Sequence, residues 1–466
     1  MRVVALDVET SKSPRHFPWV DGSYLSILTI YGDQLKKTWV INHNSISLTP
    51  LQTTISEIQN ILDRHDVVVG HNIKFDVHWL KSIGIKPPKL YDTMVMEYII
   101  RGQDSALSFS LAETARRYNL SPKLDVVKEF WDSGIDTASV PLDTLIEYCE
   151  HDTFLAWQLY FLQQPLIEQY GMQKLAKLHN LFVECLQEIE ENGMRVDIDY
   201  LEKSKQAYKE RMDTLRVDLQ MFLQDYFETD FVFNLSSNDH QSVILYGGNL
   251  PIDGVEEYEV TLKSGEVKTK TRKCRVDKYF KGLGFKPNKK DACKKEGYYK
   301  TNKDVLGTLR ASNKAQRFFI ETVLELSKVE KIYSTYLEGM EKFITKQGLI
   351  HPNFNQALTV TGRLSSSKPN FQNLPRGKTD EVAKRLFIPR SEDRLILNGD
   401  LSALEWCVGA QLSGDKVMIE EIENDVDIHT ANSIAIFGSE AFRQESKTIS
   451  FRSLKCMVLQ RVISVE

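Results

Sequence analysis

The sequence predicts an α/β fold for roughly residues 1–170, a mixed sheet flanked by helices, running on into a mostly helical region. Three stretches carry the expectation. "VVALDVETSK" (3–12) is a Val- and Leu-rich run with strand character. "HDVVVGHNIKFDVHWLKSIGI" (65–85) reads as a strand over Val67–Val69, a Gly turn, and a helix with Phe75, Trp79 and Leu80 on its apolar face. "PLDTLIEYCEHDTFLAWQLYFL" (141–162) has a strongly helical pattern.

Polar residues interrupt each stretch at telling positions. Asp7 and Glu9 are two apart on the first strand, so they share a face and repel unless something cationic lies between them. Asn72 and Asp76 are four apart and are expected on one helix face just past a strand's carboxyl end, where open α/β sheets gather ligands. Tyr148 and Asp152 are likewise four apart. Singly, each has a plainer role: two acids in water at a strand end, Asp76 paired with Lys74 or Lys81, Tyr148 capping a core, Asp152 in a surface salt bridge. Jointly, Asp7, Glu9, Asp76 and Asp152 supply what two divalent cations about 4 Å apart need for phosphoryl transfer. Hard oxygen donors without a Cys or His cluster favour Mg²⁺ or Mn²⁺ over zinc.

The order D-x-E, N-x-x-x-D, Y-x-x-x-D on strand, helix and helix resembles the three exonuclease motifs of the DEDD nuclease superfamily in its tyrosine form. "YDTMVMEYIIRG" and "SLAETARRYNL" extend the likeness over about the first third of the chain. The resemblance implies a ribonuclease H-like 3'-5' exonuclease domain that holds two Mg²⁺ or Mn²⁺ ions and acts on single-stranded DNA 3' ends. Asp7, Glu9 and Asp152 would then bind metal directly, and Asp76 would help through the second ion or its water. Tyr148 with Glu9 would orient the attacking water, and Asn72 would contact DNA.

At 466 residues and 42% apolar content the chain is too long for one core, so two or three domains are expected. No stretch approaches the length of a membrane span, and the expectation is a cytoplasmic protein (host cytoplasm if viral) with no membrane partner. Six cysteines, at 149, 185, 274, 293, 407 and 456, include no C-x-x-C pair, which argues against zinc and against a disulfide framework. Net charge is −5, yet Lys263–Lys303 holds fifteen Lys and Arg against four Asp and Glu, a local attractor for phosphate unless it is merely a solvated loop. "NGMRVD" breaks the helical pattern of 171–345, with Gly193 ending one helix and Asp197 able to cap the next.

Further on, "FNLSSNDHQSVILYGG", the basic block, "YYKTNKDVLGTL" and "SKVEKIYSTYLEGM" follow the order of the thumb in family A DNA polymerases. "LTVTGRLSSSKPNFQNLPR" (358–376) is a polar, loop-rich segment that can follow a phosphate backbone, and its T-G-R-L-S-S and P-N-x-Q-N-x-P strings resemble that family's signature. By that resemblance Arg363, Asn370, Gln372 and Asn373 touch primer-template DNA. "RLILNGDLSALEWCVGAQLSGD" is expected as a strand over Arg394–Leu397 ending at Asp400, then a helix from Ser402 or Ala403. The likeness makes Asp400 a palm metal ligand and Glu405 the residue that excludes a ribose 2'-hydroxyl, with Cys407 departing from the usual Arg.

The expected layout is an exonuclease domain (1–170), linker helices and thumb with a basic insertion at 263–303 (171–345), and a partial α+β palm with the start of fingers (346–466). Arg452 and Lys455 are candidates to grip a dNTP, although their spacing is one residue short of the family's. No second palm carboxylate follows, so the polymerase site is expected to be incomplete in this chain and primer extension by it alone is not expected. Two alternatives stand beside this: a DNA-binding subunit completed by a carboxy-terminal polymerase chain, and a stand-alone exonuclease remnant.

Overall fold

A computed structural model of the chain describes residues 1–437, apart from 13–16, 46–50, 103–105, 262–266, 376–380 and 402. The chain divides into two compact units, Met1–Arg394 and Leu395–Glu466.

The first unit begins with a five-stranded sheet. β1 (Val3–Thr10), β2 (Leu25–Gly32), β3 (Leu35–Val40), β4 (Val67–Gly70) and β5 (Lys89–Asp92) lie in the order β3-β2-β1-β4-β5. β1 runs antiparallel to β2 and parallel to β4. Val4, Ala5 and Leu6 of β1 and Val68 and Val69 of β4 are wholly buried, as strands covered on both faces require. The cover comes from α1 (Leu51–Leu62), α2 (Lys74–Ser82), α3 (Thr93–Ile100), α4 (Leu111–Arg117), α5 (Val126–Asp132), the long α6 (Leu142–Gln169) and α7 (Gln173–Asn192). The α6 helix packs across β1 and β2, and α2 and α3 pack against α7. The expected mixed sheet flanked by helices is therefore the fold of this region.

One detail differs. Asn72 is not on the helix that carries Asp76. It adopts a left-handed conformation (φ 64) in the turn between β4 and α2, a conformation that Asn tolerates better than most residues. That turn is held by the Asn72 amide donating to Asp92 Oδ1 at 3.0 Å.

The α7 helix ends at Gly193 (φ 60), where a Cβ would come within 2.7 Å of the Ile350 carbonyl. After β6 (Met194–Val196), the Asp197 carboxylate accepts from the Tyr200 amide at 2.9 Å and so caps α8 (Ile198–Phe227), as the sequence indicates. A second core forms where α8, α9 (Asn238–Tyr246) and α11 (Lys314–Lys331) meet, around Leu219, Val243, Phe280 and Phe319, with α10 (Lys303–Thr308) at its side. From this core rises a two-stranded ribbon, β7 (Gly248–Thr261) paired antiparallel with β8 (Val267–Phe280). Short strands at Leu349–Ile350 and Phe387–Ile388 flank β6, and Asn353–Asn355 pairs with Ser365–Ser367.

In the second unit the expected strand over Arg394–Leu397 is absent. Residues 394–400 have no regular structure, and Leu395 and Leu397 are 85% and 92% exposed. A strand needs a neighbour to pair with, and no described strand lies beside this segment. The helix that follows spans Leu404–Ser413, starting one residue beyond Ala403.

Candidate active site

Strand β1 sets two carboxylates on one face of the sheet, and a register irregularity with β2 falls between Glu9 and Thr10 at its end. The Asp7, Glu9 and Cys149 ligand atoms all lie within 4.8 Å of one another. Asp76 reaches them from the first turn of α2, where its Oδ1 accepts from the Val8 amide at 3.1 Å and so ties that helix to β1. Tyr148 and Asp152 come from successive turns of α6, packed across the same strand. Thus the four acids and the phenol named from the sequence are brought together, although Asp76 and Asp152 stand outside the tightest cluster.

Burial dominates the electrostatics. Glu9, Asp76 and Asp152 are 8%, 3% and 4% exposed. Burial, reinforced by the charge of Asp152, raises the Asp7 carboxyl to about 7, well above the ordinary carboxylate value. Burial and the Asp7 charge also push Glu9 and Asp76 up, and burial raises Asp152 despite the ammonium beside it. Tyr148 is held as a neutral phenol because burial, then the charges of Glu9 and Asp152, oppose its ionisation.

Two members of the site carry no signal in the sequence pattern. Lys123 lies in the loop before α5, its ammonium bonded to Asp152 Oδ2 and 4.6 Å from the centre of the Tyr148 ring. Its charge lowers the carboxyl pKa values of Asp7, Glu9 and Asp152 together. Cys149, one of six cysteines whose spacing argues against zinc and disulfides, points its Sγ at Asp7 Oδ2, 3.5 Å away. Burial, then the charge of Asp7, raises that thiol well above its usual value, which suits it to donate a hydrogen bond to Asp7. Adjacency to Tyr148 was the only available hint of Cys149, and nothing in the spacing marks Lys123. The alternative partners considered for Asp76 are engaged elsewhere: Lys74 bonds Glu190, and Lys81 faces Glu188.

The donor set fits hard divalent cations. Three buried carboxylates and the half-buried Asp7 exceed the Lys123 ammonium beside them, and Asp152 Oδ1 is buried with no hydrogen-bond partner among the described residues. Asn72 is exposed at the end of β4, in the turn that leads into α2.

The other candidates lie on other elements of the chain. Asn370, Gln372 and Asn373 line an open cleft with Lys331, Tyr336 and Leu374. Gln372 turns its amide onto the Leu364 carbonyl at 3.0 Å, and the Tyr336 hydroxyl donates to the Asn373 carbonyl. Arg363 is exposed in the preceding loop. In the second unit Asp400 is exposed in irregular chain and Glu405 is exposed on the first turn of its helix. Ser402, Arg452 and Lys455 lie outside the described residues.

Comparison with known proteins follows the same division. A family model described as 3'-5' exonuclease matches residues 1–166, and one described as DNA polymerase family A matches residues 252–458. DNA polymerase I of Synechocystis sp. is 29% identical over 406 residues, covering 84% of this chain and 36% of the relative. DNA polymerase I of Bacillus subtilis is 26% identical over 373 residues, covering 78% of this chain and 36% of the relative. The chain thus spans a little over a third of the length of these relatives. Among solved structures, the POL domain of Pol1 from M. smegmatis in complex with DNA primer-template and dNTP superposes with a TM-score of 0.67 at 19% identity, covering 96% of this chain and 66% of that one, a likeness of fold.

Proposed function

Because the chain belongs to the family A DNA polymerases and carries their amino-terminal 3'-5' exonuclease domain, we propose that its first 170 residues hydrolyse the terminal phosphodiester at single-stranded DNA 3' ends. The observation that carries this reading is the convergence of Asp7, Glu9, Asp76 and Asp152, all with raised carboxyl pKa values, around a buried Asp152 oxygen that has no hydrogen-bond partner among the described residues.

Asp7, Glu9 and Asp152 would hold the divalent cations, with Asp76 completing the set. Bound there, a pair of Mg²⁺ or Mn²⁺ ions would neutralise the acids, activate water and stabilise the leaving oxygen. The remaining work falls to this chain's own groups. Tyr148 stays a phenol across the working pH range, so it can accept from and donate to the attacking water beside Glu9. Lys123 fixes the Asp152 carboxylate through Oδ2 and leaves Oδ1 turned away from it. The Val8 amide holds Asp76 in place. Water attack then breaks the bond from phosphorus to the 3' bridging oxygen, which leaves as a hydroxyl once protonated. Asn72, exposed in the turn before α2, is suited to contact the DNA end.

For the remainder we infer linker helices and thumb over 171–345 and palm with the start of fingers over 346–466. Primer-template DNA would run past Arg363, Asn370, Gln372 and Asn373, and Asp400 and Glu405 would serve metal and dNTP. Two assays test the assignment. Purified chain with Mg²⁺ should shorten a 5'-labelled single strand, and Asp7→Ala should abolish this while remaining folded by circular dichroism. Activity that survives Asp7→Ala, or that needs no divalent ion, defeats the proposal. Primer extension by the same preparation, compared with Asp400→Ala, tests the palm separately.

A further inference from the structure

The ribbon of β7 and β8 has two faces of opposite character. Its fourteen-residue register sets Val260 opposite Lys268, Tyr258 opposite Lys270 and Glu256 opposite Arg272, and residues directly opposite one another share a face. One face therefore bears Lys268, Lys270 and Arg272, with Glu256 the one acidic residue in register with them. The Arg272 guanidinium lies 5.7 Å from the Tyr258 ring centre. On the alternate face Arg275 stands opposite Asp253, and Lys273, opposite Val255, shares the face with Glu257 and Glu259, so positive charge does not accumulate there.

The ribbon is also unsupported along most of its length. Among the described residues it is anchored at its base: Leu250 and Phe280 are buried in the thumb core, the Tyr298 hydroxyl donates to the Asn249 carbonyl at 2.8 Å, and Lys278 Nζ donates to the Thr229 hydroxyl at 3.0 Å. Beyond that base β7 and β8 pair only with each other among the described residues, and every described residue from Val267 to Lys273 is exposed. An isolated two-stranded hairpin is marginal in water, so one lying free with a sorted basic face is suited to rest on something anionic. Same-face cations on β8 recur about every 6.8 Å, and a two-stranded ribbon is narrow enough to enter the roughly 12 Å major groove.

We propose that the face bearing Lys268, Lys270 and Arg272 docks on the phosphate backbone of duplex DNA, while the Lys273–Arg275 face stays in solvent. This rests on the reading that the chain works on DNA, but not on its exonuclease site. The two faces allow a charge-matched test in the full chain: K268Q/K270Q against K273Q/R275Q, each removing two cations from exposed strand positions. Binding to a fluorescent primer-template duplex is titrated between 50 and 200 mM salt. For K268Q/K270Q the slope of log affinity against log salt should flatten by about 1.8, at about 0.9 per lost phosphate contact, while K273Q/R275Q should shift it by less than about 0.5. Equal flattening in both pairs would reduce the effect to net charge and overturn the proposal. So would no change in either, absence of duplex binding by the parent chain, or a loss seen only with single-stranded DNA. Hydrolysis of a short single strand by the same proteins separates the two readings: its failure in the parent chain sinks the exonuclease assignment and leaves a face-specific slope standing.

Discussion

Glu190 offers the sharpest test of how the first unit is held together. It lies near the end of α7, wholly buried, and its carboxylate takes Lys74 Nζ, His78 Nε2 at 2.8 Å and the Phe354 amide at 2.6 Å. Lys74 sits two residues before Asp76 on α2, so one carboxylate ties the helix carrying a site acid to α7 and to the chain beyond residue 350. Glu190→Gln keeps the shape and deletes the charge. The Lys74 side chain, only 11% exposed, would then retain the Asn353 side-chain oxygen and the Phe354 carbonyl, but of its two favourable charges it would lose the bonded one and keep only the weaker influence of Asp92.

Leaving a buried charge uncompensated costs about 3–5 kcal/mol, whereas removing both partners is often close to neutral. With an unfolding entropy of about 2.1 cal/mol/K per residue, a unit of 394 residues that melts as one loses about 4–6 °C in Tm. Calorimetry of the metal-free chain should show that drop for Glu190→Gln and a similar one for Lys74→Met. The double variant should recover more than half of it, because burial already holds the Lys74 pKa down and neither charge is left to strand. Losses that simply add in the double variant, or single losses below about 1 °C, would refute the reasoning.

Other outcomes follow from the site itself. Asp7 sits at about 7 against an ordinary 3.8, so the folded chain keeps a proton that the unfolded chain sheds; metal-free stability should fall as pH rises from about 4 through about 7, and melting curves that climb over that range would contradict it. Tyr148→Phe should slow single-strand hydrolysis by about 10²-fold while leaving the Mg²⁺-induced rise in Tm unchanged, because the phenol acts on water and not on metal. Lys123→Met should lower the metal-free Tm and enlarge the rise on adding Mg²⁺, since bound ions would then supply charge that the ammonium gave; an unchanged Mg²⁺ response removes Lys123 from the site.

The exonuclease half was legible because its chemistry rides on periodic elements. Strand alternation alone puts Asp7 and Glu9 on one face, and a helical repeat alone puts Tyr148 and Asp152 on successive turns, so spacing in the chain translates into proximity. Lys123 could not be found that way. It sits in a loop twenty-nine residues from its partner, and the packing of the flanking α4 and α5 on α6 brings it to Asp152. Asn72 failed for a related reason: a four-residue spacing means a shared helix face only if the helix has begun, and here a left-handed turn comes first.

The segment 394–400 shows the other limit of local reading. Its Leu-Ile-Leu run satisfies strand propensity, yet propensity describes fitness for a pleated, half-buried surface and supplies no partner. With no described strand beside it the run stays irregular and its leucines lie in solvent. β1 is the converse case, since its two acids are unfavourable locally and persist because α2, α6 and Lys123 enclose them. In both segments the neighbours decide whether a local preference is expressed. Of the carboxylates of β1, Glu9 is buried and Asp7 half-buried, at a cost that a solvent-exposed strand end would not incur, and a bound divalent cation is the compensation that their arrangement is suited to receive.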